Sequence, residues 1–220
     1  MPGEMIRTNL EGPFHPDITG MKYFQVFVDE ATRDKRVRGL KTKDSATDAT
    51  AHYIDEMARE GVAVKCISGD GAGELGRSVK FQRMLANRGI RWRSSPPRTP
   101  QSNGIAERAI QQLMNIARSQ LVKAGRGEDN WYFAVADAAF KTAGMPHEYL
   151  GGQNPCERLT RNLSTTIVCV CGDQSVSYTN TSSSAAPLRN STHMRNEAFW
   201  WGTIGTLCVG MYGSREKTNL

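Results

Sequence analysis

The sequence lacks the spacings that would make it a metal-stapled or disulfide-built chain. Its five cysteines (Cys66, Cys156, Cys169, Cys171 and Cys208) form no C-x-x-C pair, and its four histidines stand nowhere near zinc-site spacing. A Cys/His zinc module is thereby excluded. No apolar run is long enough to span a bilayer, and no basic–apolar–small leader opens the chain. The expectation is a non-membrane, intracellular protein, not secreted, with reduced thiols. Acid is also in short supply: 22 Asp and Glu face 28 Lys and Arg, for a net charge of +6 and a pI near 9.2. That deficit favours a polyanionic partner, nucleic acid first. At 39% hydrophobic and 23% charged the composition is that of an ordinary globular chain. Its 220 residues suffice for one domain and part of a second.

What is there reads in order. Ile6 to Leu10 predicts a short strand stopped by Gly12-Pro13. "KYFQVFVD" (22–29) is a buried strand by its aromatic and β-branched content, and "KRVRGLKT" (35–42) a half-exposed one by alternation. The period then changes. Asp44 is placed to cap a helix to about Glu60, with Ala46, Ala49, Tyr53 and Met57 on one face. "VAVKCIS" (62–68) predicts a strand, 76–88 a helix with Phe81 and Leu85 inward, and "IRWRS" (90–94) another strand. Ile110, Leu113, Ala117 and Leu121 mark a long helix ended by Gly125, and Trp131, Val135, Ala138 and Ala139 a further one. Strands first, then strands alternating with helices, imply an α/β fold with a mixed sheet covered on both faces. The spacing sets residues 1–160 apart from a tail, 161–220, that is polar and low in complexity and then apolar without period. The tail is expected to be irregular. Its Trp-Trp pair, scattered Cys and Ser/Thr runs are what translation in a shifted frame would produce.

Two acids stand where chemistry is expected: Asp70 at the carboxyl end of a strand, where open α/β sheets place their sites, and Glu107 at a later helix start. Two carboxylates brought together can hold divalent cations, and phosphoryl transfer often uses two such ions. A bound cation would also explain a lone acid among Arg98 and Arg108, because it turns the site from anion-repelling to anion-attracting. An Asp in a Gly-Asp-Gly turn, or a Glu in a first helical turn, equally serves structure alone. Basic residues are grouped. Arg33, Lys35, Arg36, Arg38, Lys41 and Lys43 form one set and Arg88, Arg91, Arg93 and Arg98 another, suited to phosphate backbones or to a plain solvated surface.

The stretches "NLEGPF", "KYFQVFVDEATR", "SGDGAGE", "TPQSNGIAER" and "NPCERLTR", over about residues 5 to 160, resemble in sequence and order the integrase catalytic core of copia-type long-terminal-repeat retrotransposons. "TPQSNGIAER" is the most specific of them. The resemblance implies an RNase H-like fold with a mixed five-stranded sheet. It also implies metal-dependent DNA 3′-processing and strand transfer, that is, DNA integration by a polynucleotidyl transferase using two Mg²⁺ or Mn²⁺ ions. Its Asp-Asp-Glu triad puts the second acid at Asp70 and the third at Glu107, which would be the metal ligands. Residues 71 to 106 separate them, a spacing close to the family's.

The first acid is replaced. The family's Asp-Leu-x-Gly-Pro reads Asn9-Leu10-Glu11-Gly12-Pro13 here. Losing one charge near a cation at an effective dielectric of ~20 costs about 4 kcal/mol, roughly a thousandfold in rate. Glu11 shares Asn9's face in an extended strand, but the Gly-Pro turn is expected to carry it away. Impaired chemistry is therefore expected, and the alternative is a catalytically dead RNase H-like DNA-binding module or decayed element fragment. DNA contacts are expected from Arg91, Arg93, Arg98, Arg108, Lys35 and Arg36, and from Gln101, Ser102 and Asn103 on a loop before Glu107 that Gly104 keeps flexible. Partners implied are element-end and target DNA and further copies of the chain, in the nucleus if functional.

Overall fold

The computed structural model describes residues 1–70, 74–95, 100–160, 168–171 and 174–177. Met1–Leu163 form one compact unit and Ser164–Leu220 another. In the first, β1 (Ile6–Glu11), β2 (Tyr23–Asp29) and β3 (Lys35–Leu40) form an antiparallel meander. After α1 (Ala46–Arg59), β4 (Cys66–Asp70) returns to pair in parallel with β1. Two helices, α2 (Glu74–Arg77) and α3 (Val79–Asn87), lead to β5 (Arg91–Ser95), which lies parallel to β4. Then come α4 (Pro100–Ala124), α5 (Trp131–Ala143) and α6 (Pro155–Thr160). The sheet order is β3-β2-β1-β4-β5, so β1 is its centre. The mixed five-stranded sheet with helices on both faces is the one the sequence predicts.

Each face of the sheet has its own core. Alternation along β2 sends Phe24, Val26 and Val28 to one side, where they meet Ala106, Ala109, Ile110 and Leu113 of α4 and Val135, Ala138 and Ala139 of α5. Alanines at the helix contacts let the two helices lie close to the strands, since a small residue shortens the interaxial distance. On the other side Ile6, Phe27 and Ile67 pack against Tyr53 and Met57 of α1 and Phe81 and Leu85 of α3. Phe27 and Tyr53 stack with ring centres 4.3 Å apart. Under α1, Gln25 Nε2 donates to Thr8 Oγ1 and Thr50 Oγ1 at 3.0 and 3.1 Å. Ser78 caps α3, its Oγ accepting from Phe81 N at 3.3 Å.

Four local expectations shift. The fourth strand covers Cys66–Asp70 rather than 62–68: Val62 is buried in the connection and its N–H is spent on Met57 O. Asp44 lies in a 3₁₀ turn (Lys43–Ser45), and Ser45 is the N-cap of α1. The segment expected as a loop through Gly104 is helical from Pro100, because proline suits a first helical position, having no N–H to leave unpaired. The tail, expected to be irregular, contains in its own unit an antiparallel pair, β6 (Val168–Cys171) and β7 (Gln174–Ser177). The rest of it lies outside the described residues.

A candidate active-site groove

The first of the expected site positions, Asn9, sits on the central strand, opposite Val26 of β2. Ile6 pairs with Ile67 and Arg7 with Ser68 across β1 and β4. Continued by two residues, that parallel register sets Asn9 level with Asp70, the last residue of β4. The cross-strand tie is reinforced by Arg7, whose guanidinium donates to Ser68 Oγ at 3.1 Å and pairs with Glu30 at 2.9 Å. On the α4 side of β1 opens a cavity of about 460 Å³, lined by Asn9, Glu11, Phe14, Glu107, Ile110, Gln111, Met114, Asn115 and Arg118. Asn9 and Glu107, nearly a hundred residues apart in the chain, thus share one groove. Asp70 ends the neighbouring strand, and its side chain lies outside what is described.

Glu107 stands two turns into α4, not at its opening, so it serves no N-terminal dipole. Its side chain is exposed and makes no hydrogen bond or ion pair among the described residues. Glu11 corrects an expectation. It remains in β1, opposite Phe24, and lines the same groove as Glu107 instead of being carried off by the Gly-Pro turn. Phe14, next along, packs at 4.8 Å from the Trp131 ring, and its N–H donates to Lys22 O at 2.7 Å. Sequence reasoning does not find Gln111, Asn115 and Arg118. Their signal is helical spacing from Glu107 at i+4, i+8 and i+11, which lines one stripe of α4 about 16 Å long.

The donor set can be tested against a divalent cation. Asp70, Glu107 and Glu11 are carboxylates, the hard oxygen donors that such ions take. Asn9 supplies only an amide oxygen, and that oxygen already accepts from Leu10 N–H at 2.9 Å. Among the described residues no three His, Cys, Asp or Glu side chains converge. The groove therefore fits a divalent ion in donor type: Glu11 and Glu107 line it, and Asn9 brings a neutral oxygen where the family's acid would bring a charge.

The expected DNA contacts divide. Arg91 and Arg93 are exposed on the edge strand β5, with Trp92 between them turned inward onto Phe81, 5.1 Å edge to face. Arg108 is exposed on α4, its guanidinium lying over Gly104, where an added Cβ would meet it at 3.5 Å. Gln101, Ser102 and Asn103 belong to the first turn of α4 rather than to a loop; their side chains, and the whole of Arg98, lie outside the described residues. Lys35 and Arg36 do not belong to an open phosphate-binding surface. Lys35 is buried, at 8% exposure. Arg36 donates from Nε to Asp34 at 2.9 Å, from one NH₂ to Glu56 at 3.1 Å and Glu60 at 2.8 Å, and from the other to Glu60 at 2.5 Å. Burial opposes its charge, but Asp34, Glu60 and Glu56 outweigh that and hold it firmly protonated. Arg38 joins Glu56 as well.

The chain is 32% identical over 161 residues to the retrovirus-related Pol polyprotein from transposon TNT 1-94 of Nicotiana tabacum, over 72% of this chain and 12% of that one. It is 27% identical over 143 residues to the Pol polyprotein from transposon RE2 of Arabidopsis thaliana, over 64% of this chain and 10% of that one. It thus spans about a tenth of the length of these curated relatives. No family model matches it. Among solved structures it resembles a chain of a simian T-cell lymphotropic virus intasome in complex with PP2A regulatory subunit B56 gamma, with a TM-score of 0.59 and 17% identity over 72% of this chain and 55% of that one. It also resembles the HTLV-2 integrase catalytic core domain, a trimeric form in complex with magnesium, with a TM-score of 0.55 and 16% identity over 71% and 96% of the two chains. These likenesses establish the RNase H-like fold. With the Pol relatives beside them, the chain belongs to the integrase catalytic cores of copia-type retrotransposons.

Proposed function

We propose that this chain is the core of a retrotransposon integrase that handles DNA ends and whose metal-dependent 3′-processing and strand transfer are weakened by Asn9. The observation that carries the reading is the shared groove of Asn9 and Glu107 beside the end of β4. A groove at the carboxyl edge of parallel strands is where such sheets place their chemistry. Asp70 and Glu107 would hold the divalent cation, Mg²⁺ or Mn²⁺; a pair of such ions, when bound, activates the attacking oxygen and stabilises the leaving one. This chain's own residues then position the strand. Arg91 and Arg93, exposed along the edge strand β5, and Arg108, exposed on α4 one residue past Glu107, would neutralise phosphates, and Arg98, Gln101, Ser102 and Asn103 are further candidates for that role. Work at DNA ends by several copies, in the nucleus, follows from the family.

Asn9 supports a second reading, a DNA-binding module that does little chemistry, because its amide oxygen is committed to Leu10 N–H at 2.9 Å. One experiment separates the two. Nicking and strand transfer on labelled element-end DNA are measured in Mg²⁺ and Mn²⁺ for the chain as it stands, Asn9→Asp and Asn9→Asp/Glu107→Gln. The expected result is a gain of roughly a thousandfold from Asn9→Asp, the reverse of the charge loss, abolished by Glu107→Gln. Retained activity in Asn9→Asp/Glu107→Gln would sink the site. Silence of every version alongside intact DNA binding would leave the second reading standing.

A further inference from the structure

The groove extends along α4 beyond the acids that a cation needs. Past Glu107, each turn of the helix that lines it carries an apolar and an amide side chain next to each other: Ile110 with Gln111, then Met114 with Asn115, and Arg118 one turn further. Helical spacing produces this, since residues three and four apart share a face. Ile110 is buried and Met114 half-buried, whereas Gln111, Asn115 and Arg118 are exposed. The side chains of Gln111, Asn115 and Arg118 make no hydrogen bond or ion pair among the described residues. After Glu107 the helix carries no acid at all, and Arg118 stands about 16 Å further along it. The groove therefore has a negative end and a positive end.

An aromatic ring completes the lining. Phe14, three residues after β1, is half-buried against the same cavity. Its ring lies nearly parallel to Phe24, 5.9 Å between centres, and tilted on Trp131 at 4.8 Å. The backbone is tied on both sides of the ring: Phe14 N donates to Lys22 O at 2.7 Å, and Trp131 Nε1 donates to His15 O at 2.9 Å. Phe14 is thus fixed before any ligand arrives, and binding need not order it.

A duplex backbone calls for cations and polar groups spaced along its phosphates. This groove instead sets one cation beside an aromatic ring, aliphatic side chains and two free amides. A nucleotide matches that set: its base has a flat apolar face and a hydrogen-bonding edge, and its phosphate is an anion. Inside a duplex the face is hidden in the stack, so only an unstacked base can offer it. The cavity, about 460 Å³, has the size of sites that take a small molecule. We infer that the groove seats one unstacked nucleobase of a single-stranded DNA segment, its face against Phe14 and Met114, its edge on the Gln111 and Asn115 amides and its phosphate at Arg118. Each amide carries both a donor and an acceptor, as base edges do. The inference rests on the DNA-end reading above and deepens it, by naming the part of the end that the groove holds.

The test measures binding by the full chain without divalent cation, so that no strand is cut. Two labelled duplexes of one sequence serve as probes, one blunt and one with a short single-stranded overhang. The overhang duplex is expected to bind about tenfold tighter or more, the effect of stacking one base. Phe14→Leu, which keeps an apolar side chain on the core, is expected to remove most of that preference and to leave the affinity for the blunt duplex unchanged. A merely structural role for Phe14 would move both affinities together. Gln111→Ala and Asn115→Ala, at exposed positions, should narrow the differences among A, C, G and T in the overhang. Arg118→Gln should lower the salt slope of overhang binding by roughly 0.7, the share of one phosphate contact to a single strand. Equal affinity for the two duplexes, or a preference that Phe14→Leu does not touch, overturns the base site and leaves the integrase reading in place. Failure of the unsubstituted chain to bind either duplex overturns both.

Discussion

Arg36 distinguishes a structural cation from a DNA-gripping one, and Arg36→Met gives a large, signed prediction. The guanidinium is the hub between β3 and α1, shared by Asp34, Glu56 and Glu60 at 2.9, 3.1 and 2.5 Å. Its side chain is 16% exposed, and those of Asp34 and Glu56 are 7% and 10% exposed. Removing one member of a buried ion pair costs ~3–5 kcal/mol, because the partner charges stay behind without compensation. The low end applies here: Glu60 is 31% exposed, and Arg38 still serves Glu56. Methionine keeps most of the aliphatic packing, so the expected loss is about 3 kcal/mol. In a domain of this size that lowers Tm by about 6–12 °C. The assay is urea unfolding followed by circular dichroism, with Cm falling at constant m-value. Arg36→Lys should recover only part of the loss, since a single ammonium cannot serve three carboxylates in a fork. A loss under about 1 kcal/mol, within reach of an ordinary surface change, would refute the reasoning. It would return Arg36 to the DNA-binding set if the salt slope of DNA binding fell by about one at the same time.

Further outcomes concern packing and pH. At Gly39 on β3 an added Cβ would stand 2.7 Å from Tyr132 Cζ, a buried ring set edge-on to Trp131 at 5.9 Å; Gly39→Ala is expected to cost about 1–3 kcal/mol by overpacking, read as a drop in Cm. In chloride buffer, stability should fall as pH drops below 6.5. Burial, with Lys35 and Arg33, depresses the folded-state pKa of His147, so the unfolded chain takes the proton first. Thermal melts between pH 7.5 and 5 should lose that slope in His147→Gln, and an unchanged slope would remove His147 as its source.

How much of this was written legibly in the sequence depends on what each signal measures. The order of strands and helices could be read because hydrophobic period changes from two to three or four at the boundary between β3 and α1, and period reports which face is buried. The same signal misplaced β4. Val62, though apolar and buried, serves the connection rather than the ladder, since apolarity marks burial and not pairing. "KRVRGLKT" reads as an exposed basic stripe because nothing in those residues reveals that Glu56 and Glu60 lie across from Arg36. A trace of it does exist: Glu56 falls beside Tyr53 and Met57 on the buried side of α1, where an acid needs a partner. Glu107 stands out in the sequence as a lone acid among arginines, whereas Asn9 is marked only by the motif resemblance. Their shared groove needed the fold, as did the place of Glu11, because a Gly-Pro pair marks a turn without saying at which residue the strand releases.

The strand order has a consequence for how the chain acquires its shape. β1 is central in the finished sheet, yet during synthesis it emerges before either of the parallel strands. The meander of β1, β2 and β3 closes through nearby residues and is the fast part of folding. Until β4 arrives, β1 is an outer strand with a full row of unpaired backbone donors and acceptors on one side, a template for any other nascent strand. Docking of β4, which must bring Ile67 beside Ile6 across the whole of α1, is a long-range parallel closure and hence the slow event. Misassembly between copies is therefore most expected in the interval between translation of β3 and of β4, and a chaperone that shields strand edges would act on this chain there.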